Sequence, residues 1–231
     1  MKRLVLGLML LGVALLLVSI PLAAEMRVYV HTEEGVVEVL LDGFATVEGT
    51  VAYQGPAMGE GESWRDARQY RGVSVLSVLQ AAGALSLVDT LGVVAADGWF
   101  KILPREVLFG TTPAGVPLLA IEQDGASGGD WEDAPVLVFL PEDEAFSNQD
   151  MLEALGEEYS HHFGDQPSTT GMMVKGVLHL VPNYDGESLS LQPEASSQVS
   201  TDRPEGSLLT VIRGEATQSY TLEEMEALEQ V

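Results

Sequence analysis

The stretch that decides how this chain folds is Tyr70-Arg71-Gly72-Val73-Ser74-Val75-Leu76-Ser77-Val78-Leu79-Gln80-Ala81-Ala82-Gly83. It is the one strong helical pattern in the first half of a strand-rich chain. Tyr70-Arg71-Gly72 opens the helix. Val75, Leu76, Val78, Leu79 and Ala82 recur at helical spacing and form one apolar face. Gly83 stands where a helix stops, because glycine enters the left-handed backbone region without steric cost.

Working outward, the segments on either side alternate with period two. MRVYVH (26–31), GVVEVLL (35–41) and ATVEGTVAY (45–53) read as strands. QGPAMGEGE (54–62) is a Gly/Pro loop. On the other side, LGVVA (91–95) is a buried strand, Asp97-Gly98 a turn, and Trp99 to Leu103 extended. Pro104-Arg105-Glu106 starts a short helix, with proline near its first turn. PLLAI (117–121), PVLVFL (135–140) and MVKGVLHLVP (173–182) are further strands, and Asn148 to Phe163 is a second helix. The pattern predicts a mixed, strand-rich α+β domain over residues 25–182.

The ends differ in composition. Met1-Lys2-Arg3 precedes Leu4 to Ala24, a run with no charged residue. A basic start followed by a long apolar run is what export machinery reads, and the run approaches the ~20 residues that span a bilayer. Residues 1–24 therefore read as a signal peptide or an N-terminal membrane anchor, and either outcome is extracytoplasmic. Membrane contact is expected only through residues 4–24, if they stay uncleaved. Residues 183–206 are polar and rich in Ser, Pro, Glu and Gln, a linker composition. Residues 207–231 read as a strand followed by a helix, with Thr221 and Glu224 as a capping box. That tail docks on the main domain, pairs with another chain, or begins a second module cut at Val231.

Composition excludes several functions. With 11 basic against 35 acidic residues, the net charge is −24. Such a surface repels phosphate backbones, so nucleic acid is not an expected partner. The chain has no cysteine, which removes disulfides, thiolate metal ligands and a cysteine nucleophile together. No Gly-x-Ser-x-Gly supports a serine hydrolase, and no glycine-rich stretch ends in the Gly-Lys-Ser/Thr of a P-loop.

Three places carry potential chemistry. Asp97-Gly98-Trp99-Phe100-Lys101 is a tight turn presenting aromatic rings beside a cation, able to hold a planar ring by stacking and charge; Trp99 as a core residue is the competing reading. Arg65, Arg68 and Arg71 form a basic cluster that meets an anion or pairs with Glu60, Glu62 and Asp66. His161-His162 near Asp165 has metal-ligand chemistry, but neighbouring positions on a helix point ~100° apart and rarely share an ion. The acidic loop 124–133 offers carboxylates without the calcium-loop spacing of an EF-hand.

From Tyr70 to Pro182 the order of motifs resembles the molybdopterin-binding oxidoreductase domain of the sulfite oxidase family. Tyr70-Arg71-Gly72-Val73 with Val78-Leu79-Gln80-Ala81-Ala82-Gly83 is similar to the family's helix. Ala95-Ala96-Asp97-Gly98-Trp99 is similar to its Asp-Gly turn, and Leu118 to Gly125 to its strand and turn. Pro135 to Pro141 followed by Val174-Lys175-Gly176-Val177 is similar to its closing segments. Thr221-Leu222-Glu223-Glu224 resembles the helix that begins such modules. The resemblance implies a sulfite-oxidase-like fold and molybdopterin as cofactor, with Asp97, Trp99, Lys101, Arg71 and Arg105 as candidate cofactor-binding residues. It departs from the family at the site: the cysteine that binds molybdenum is absent, and the family's Pro-x-Arg-Leu arginine falls on the apolar Val136-Leu137. The expectation is a non-catalytic ligand-binding or accessory module, with a small molecule or another envelope protein as partner. A genuine molybdopterin-dependent oxidoreductase without a cysteine ligand and a surface interaction or adhesion module are the alternatives.

Overall fold

The computed structural model describes residues 26–57, 61–186, 209–213 and 216–220. The chain is a mixed α+β, strand-rich protein with several sheets. The first half supplies β1 (Arg27–Thr32), β2 (Gly35–Leu40), β3 (Val47–Tyr53), β4 (Arg68–Ser74) and helix α1 (Val75–Ala81). Next come β5 (Thr90–Ala95), β6 (Phe100–Pro104), β7 (Val116–Gln123), β8 (Ala126–Ser127) and β9 (Val136–Leu140). Then follow β10 (Ala145–Phe146), α2 (Asn148–Tyr159), β11 (His162–Phe163), β12 (Gln166–Pro167) and β13 (Val177–Pro182). A hairpin of β14 (Leu209–Arg213) and β15 (Ala216–Tyr220) closes the described residues.

Two sheets carry the domain. The first runs β2-β1-β13-β5-β6, antiparallel except where β1 meets β13. The second runs β10-β3-β4-β7, with β8 and β9 also paired to β7. The segment leading into β13 joins them: Leu137 N–H donates to Val174 O at 2.8 Å, and Val177 N–H to Pro135 O at 2.8 Å.

The core forms because the period-two patterns point inward together. Val28 and Val30 of β1, Val37 and Val39 of β2, and Leu91 and Val93 of β5 are buried in one cluster with Val73, Leu119, Leu137 and Phe139 of the second sheet. Val75, Val78 and Leu79 of α1 pack into the same cluster. Burying a side chain of this size stabilises by about 1.5–3 kcal/mol. Tyr53 brings a hydroxyl into this core, and it accepts the Phe139 N–H at 2.8 Å, so the polar atom is matched.

The opening stretch needs one correction. Tyr70-Arg71-Gly72 lies in β4, not in the helix, which begins at Val75. Tyr70 and Val73 are buried by neighbouring strands, and that pairing outweighs helical propensity. Gly72 is required there: a Cβ would strike the Leu119 carbonyl of β7 at the bulge between Arg71 and Gly72. The end of α1 is as expected, with Gly83 at φ 69° and Ala84 N–H donating to Leu79 O at 2.9 Å.

The second helix is shorter than expected. It is interrupted at Gly156 (φ 75°, ψ 167°), ends at Tyr159, and His162–Phe163 form strand β11. The acidic loop 124–133 is partly ordered as the β7–β8 hairpin and a 3-10 turn.

No helix among the described residues is long and apolar enough to cross a membrane, so the membrane anchor expected of the chain is not found among them. Residues 4–24 lie outside the described residues, as do 187–206 of the expected linker and the tail helix 221–228.

Candidate functional site

The turn after β5 presents the site. Ala95 and Trp99 close it, with Gly98 N–H donating to Ala95 O at 3.0 Å and Ala95 N–H to Trp99 O at 2.8 Å. The Asp97 carboxylate accepts the Trp99 N–H at 2.9 Å, so Asp97 fixes the turn. Trp99 is 49% exposed and is not core. Lys101 stands two residues on, in edge strand β6, opposite Val93 and on the same face as buried Leu103. That face looks toward α2, which packs against β6.

A third residue completes the cluster. Lys101 Nζ is 3.0 Å from His161 Nδ1 and 4.9 Å from the centre of the Trp99 ring. The His161 ring meets Trp99 edge-on, with centroids 6.2 Å apart. A charged Lys101 donates to Nδ1, which leaves the imidazole proton on Nε2. Among the described residues no carboxylate pairs with Lys101, in contrast to Lys175, which sits 2.7 Å from Asp133. Burial lowers the Lys101 pKa. Burial first, then the charges of Lys101 and His162, lower that of His161.

The chain reaches this arrangement through two local features. The helical backbone is broken at Gly156, and Ser160 Oγ donates to Gly156 O at 2.6 Å. Gly171 then supplies a floor for the imidazole, because a Cβ there would collide with the His161 ring. Thr169, two residues earlier, is fully buried and its N–H donates to Asn148 Oδ1 at 2.9 Å. Thr169 Oγ1 accepts the Gln54 N–H at 2.8 Å, and Asn148 N–H donates to Gln54 Oε1 at 2.7 Å. Asn148 opens α2, whose Ser147–Asp150 capping box fixes its start. The segment that carries Gly171 is therefore tied to Gln54, just after β3, and to the start of α2 by part-buried polar contacts.

The other candidates are placed elsewhere. Arg71 donates to Glu122 through Nε at 3.0 Å and through Nη2, with Glu48 at 4.0 Å. It lines a recess of about 240 Å³ with Glu48, Glu122 and Asp124, where carboxylates outnumber the cation. Asp124 itself is bound by Arg68 at 2.9 Å and by the Gln69 N–H at 3.0 Å. Arg105 Nη1 donates to Leu85 O at 2.9 Å and Val88 O at 2.6 Å and lies over the Phe109 ring, which makes it a structural tie. His161 and His162 part company: His162 lies 3.1 Å from Glu157, not with Lys101.

These residues do not fit a molybdenum–pterin group. The chain has no cysteine to hold the metal. Arg71 and Arg105, expected to meet a phosphate, are engaged by Glu122 and by backbone carbonyls. Of the five expected residues, only Asp97, Trp99 and Lys101 lie together. No protein-family model matches this chain, and no curated protein matches it either.

Proposed function

We propose that this chain is a non-catalytic binding module, on a sulfite-oxidase-like fold and in an extracytoplasmic setting, that takes a small planar anion at Trp99, Lys101 and His161. The sulfite-oxidase-like part of the reading rests on the motif order from Tyr70 to Pro182, and the setting on the basic and apolar start of the chain. The observation that carries the ligand site is Lys101, a cation beside an exposed indole that no carboxylate among the described residues neutralises, in a protein of net charge −24. An anion brings the missing counter-charge, and a flat ring covers the exposed Trp99 face. Around it the acidic surface discourages large polyanions, which favours a small ligand.

The test is titration of the full chain with pterin-6-carboxylate, read by tryptophan fluorescence, beside Trp99→Ala and Lys101→Ala. Saturable quenching that both substitutions weaken supports the site. Equal affinity in all three chains removes it. Metal and pterin content of the chain from its native host tests the non-catalytic part: stoichiometric molybdenum with pterin would make it an enzyme.

A further inference from the structure

We propose that Lys101 captures small aromatic aldehydes reversibly as an imine, with the aldehyde's ring on Trp99 and His161 carrying the proton. This rests on the ligand site proposed above and names the chemistry of its ligand more closely.

An amine is nucleophilic only when it has lost its proton, and what surrounds it decides how readily it does so. Lys175 sits beside a carboxylate, 2.7 Å from Asp133. Lys101 has the opposite surroundings. It is half-buried on the inner face of an edge strand, opposite Val93. Its polar neighbour is the His161 Nδ1 at 3.0 Å, a proton acceptor without a negative charge. Burial acts in the same direction and favours the neutral amine. The half-exposed Trp99 ring, whose centre is 4.9 Å from Nζ, provides a platform for a conjugated ring.

The step balances without any redox partner. The Lys101 ammonium passes a proton to His161 Nδ1. The freed lone pair attacks the carbonyl carbon, a C–N bond forms, and the proton lost from nitrogen ends on the former carbonyl oxygen. His161 then gives its proton to that hydroxyl, the C–O bond breaks, and water leaves. The product is a protonated imine, one water and a neutral His161. Hydrolysis runs the same steps backward.

Pyridoxal phosphate is the probe, because it joins a planar ring, an anion and an aldehyde. The full chain is incubated with it, reduced with borohydride, digested and mapped by mass. The proposal expects Lys101, with His161 beside it to take the proton, to be labelled about tenfold or more faster than Lys175. His161→Gln should slow labelling at Lys101 about tenfold or more. Lys101→Arg should lose that label altogether. Equal rates at Lys101 and Lys175 would overturn the proposal. 4-Pyridoxate, which has the ring and charge but no aldehyde, separates the two levels. If it quenches Trp99 in the chain and in Lys101→Arg while the aldehyde gives no preferred label, the imine is wrong and the anion site stands. If neither probe acts, both are wrong.

Discussion

Two histidine clusters stand on the sheet β2-β1-β13-β5-β6, and they differ in what each leaves open. On its outer face His31 Nε2 lies 3.2 Å from His179 Nδ1, with the Tyr29 ring 5.5 Å from His179. His179 is only 5% exposed, and its Nε2 has no hydrogen-bond partner among the described residues. Burial first, then His31, pushes the His179 pKa down to about 4. This pair is closed: it is held neutral and its rings pack against each other. At the edge of the same sheet, Lys101 and His161 sit beside a half-exposed tryptophan, and their cation has no carboxylate partner among the described residues. Similar side chains pack against each other where His179 is buried, and stand beside a half-exposed ring at the sheet edge, where we propose the ligand binds.

The largest effect expected is on the closed pair. Above pH 6.5 His179 is neutral both folded and unfolded, so it costs nothing. As pH falls from 6.5 toward 4 the unfolded chain takes the proton and the folded one does not, so stability drops, and below about 4 it levels off. The separation of the two values corresponds to about 3 kcal/mol. Urea unfolding at several pH values, for the chain and for His179→Gln, reads it. An unchanged slope in the variant would show that the pair is not closed.

Next comes Lys101→Ala, which removes the open cation. Losing a charged hydrogen bond worth about 1.5–3 kcal/mol weakens a planar anion by about tenfold to a hundredfold. Calorimetric titration checks it, and full affinity without Lys101 would remove the contrast. Gly171→Ala sharpens it: the new Cβ pushes His161 off its floor. About 1–2 kcal/mol of stability should go with the strain, and the anion should weaken while the fold, read by circular dichroism, persists. The smallest effect belongs to Arg71→Met. Its half-exposed pair with Glu122 contributes under about 1 kcal/mol, and ligand affinity should not change.

Trp99 and Lys101 were legible because they depend on near neighbours. An Asp-Gly turn is local chemistry, and residues two apart on an extended segment share a face. His161 was placed at the end of a long helix, where it has no part in the site. Gly156 was the available signal, since a glycine within a helical pattern marks a break. Arg71 and Arg105 looked free because their partners are distant in sequence: Glu122 is 51 residues away and Leu85 O is 20.

The sequence by itself determined the strand-rich α+β class, the positions of most strands, the end of α1 at Gly83, the absence of any thiolate and the turn that presents Trp99. These follow from side-chain period, backbone freedom and composition, all of which act over a few residues. Only the tertiary structure decided that Tyr70-Arg71-Gly72 is a strand, that Glu122 occupies Arg71, and that His161 meets Lys101 across 60 residues of chain. Charge pairing and burial depend on which surfaces are brought together, and no local pattern records that.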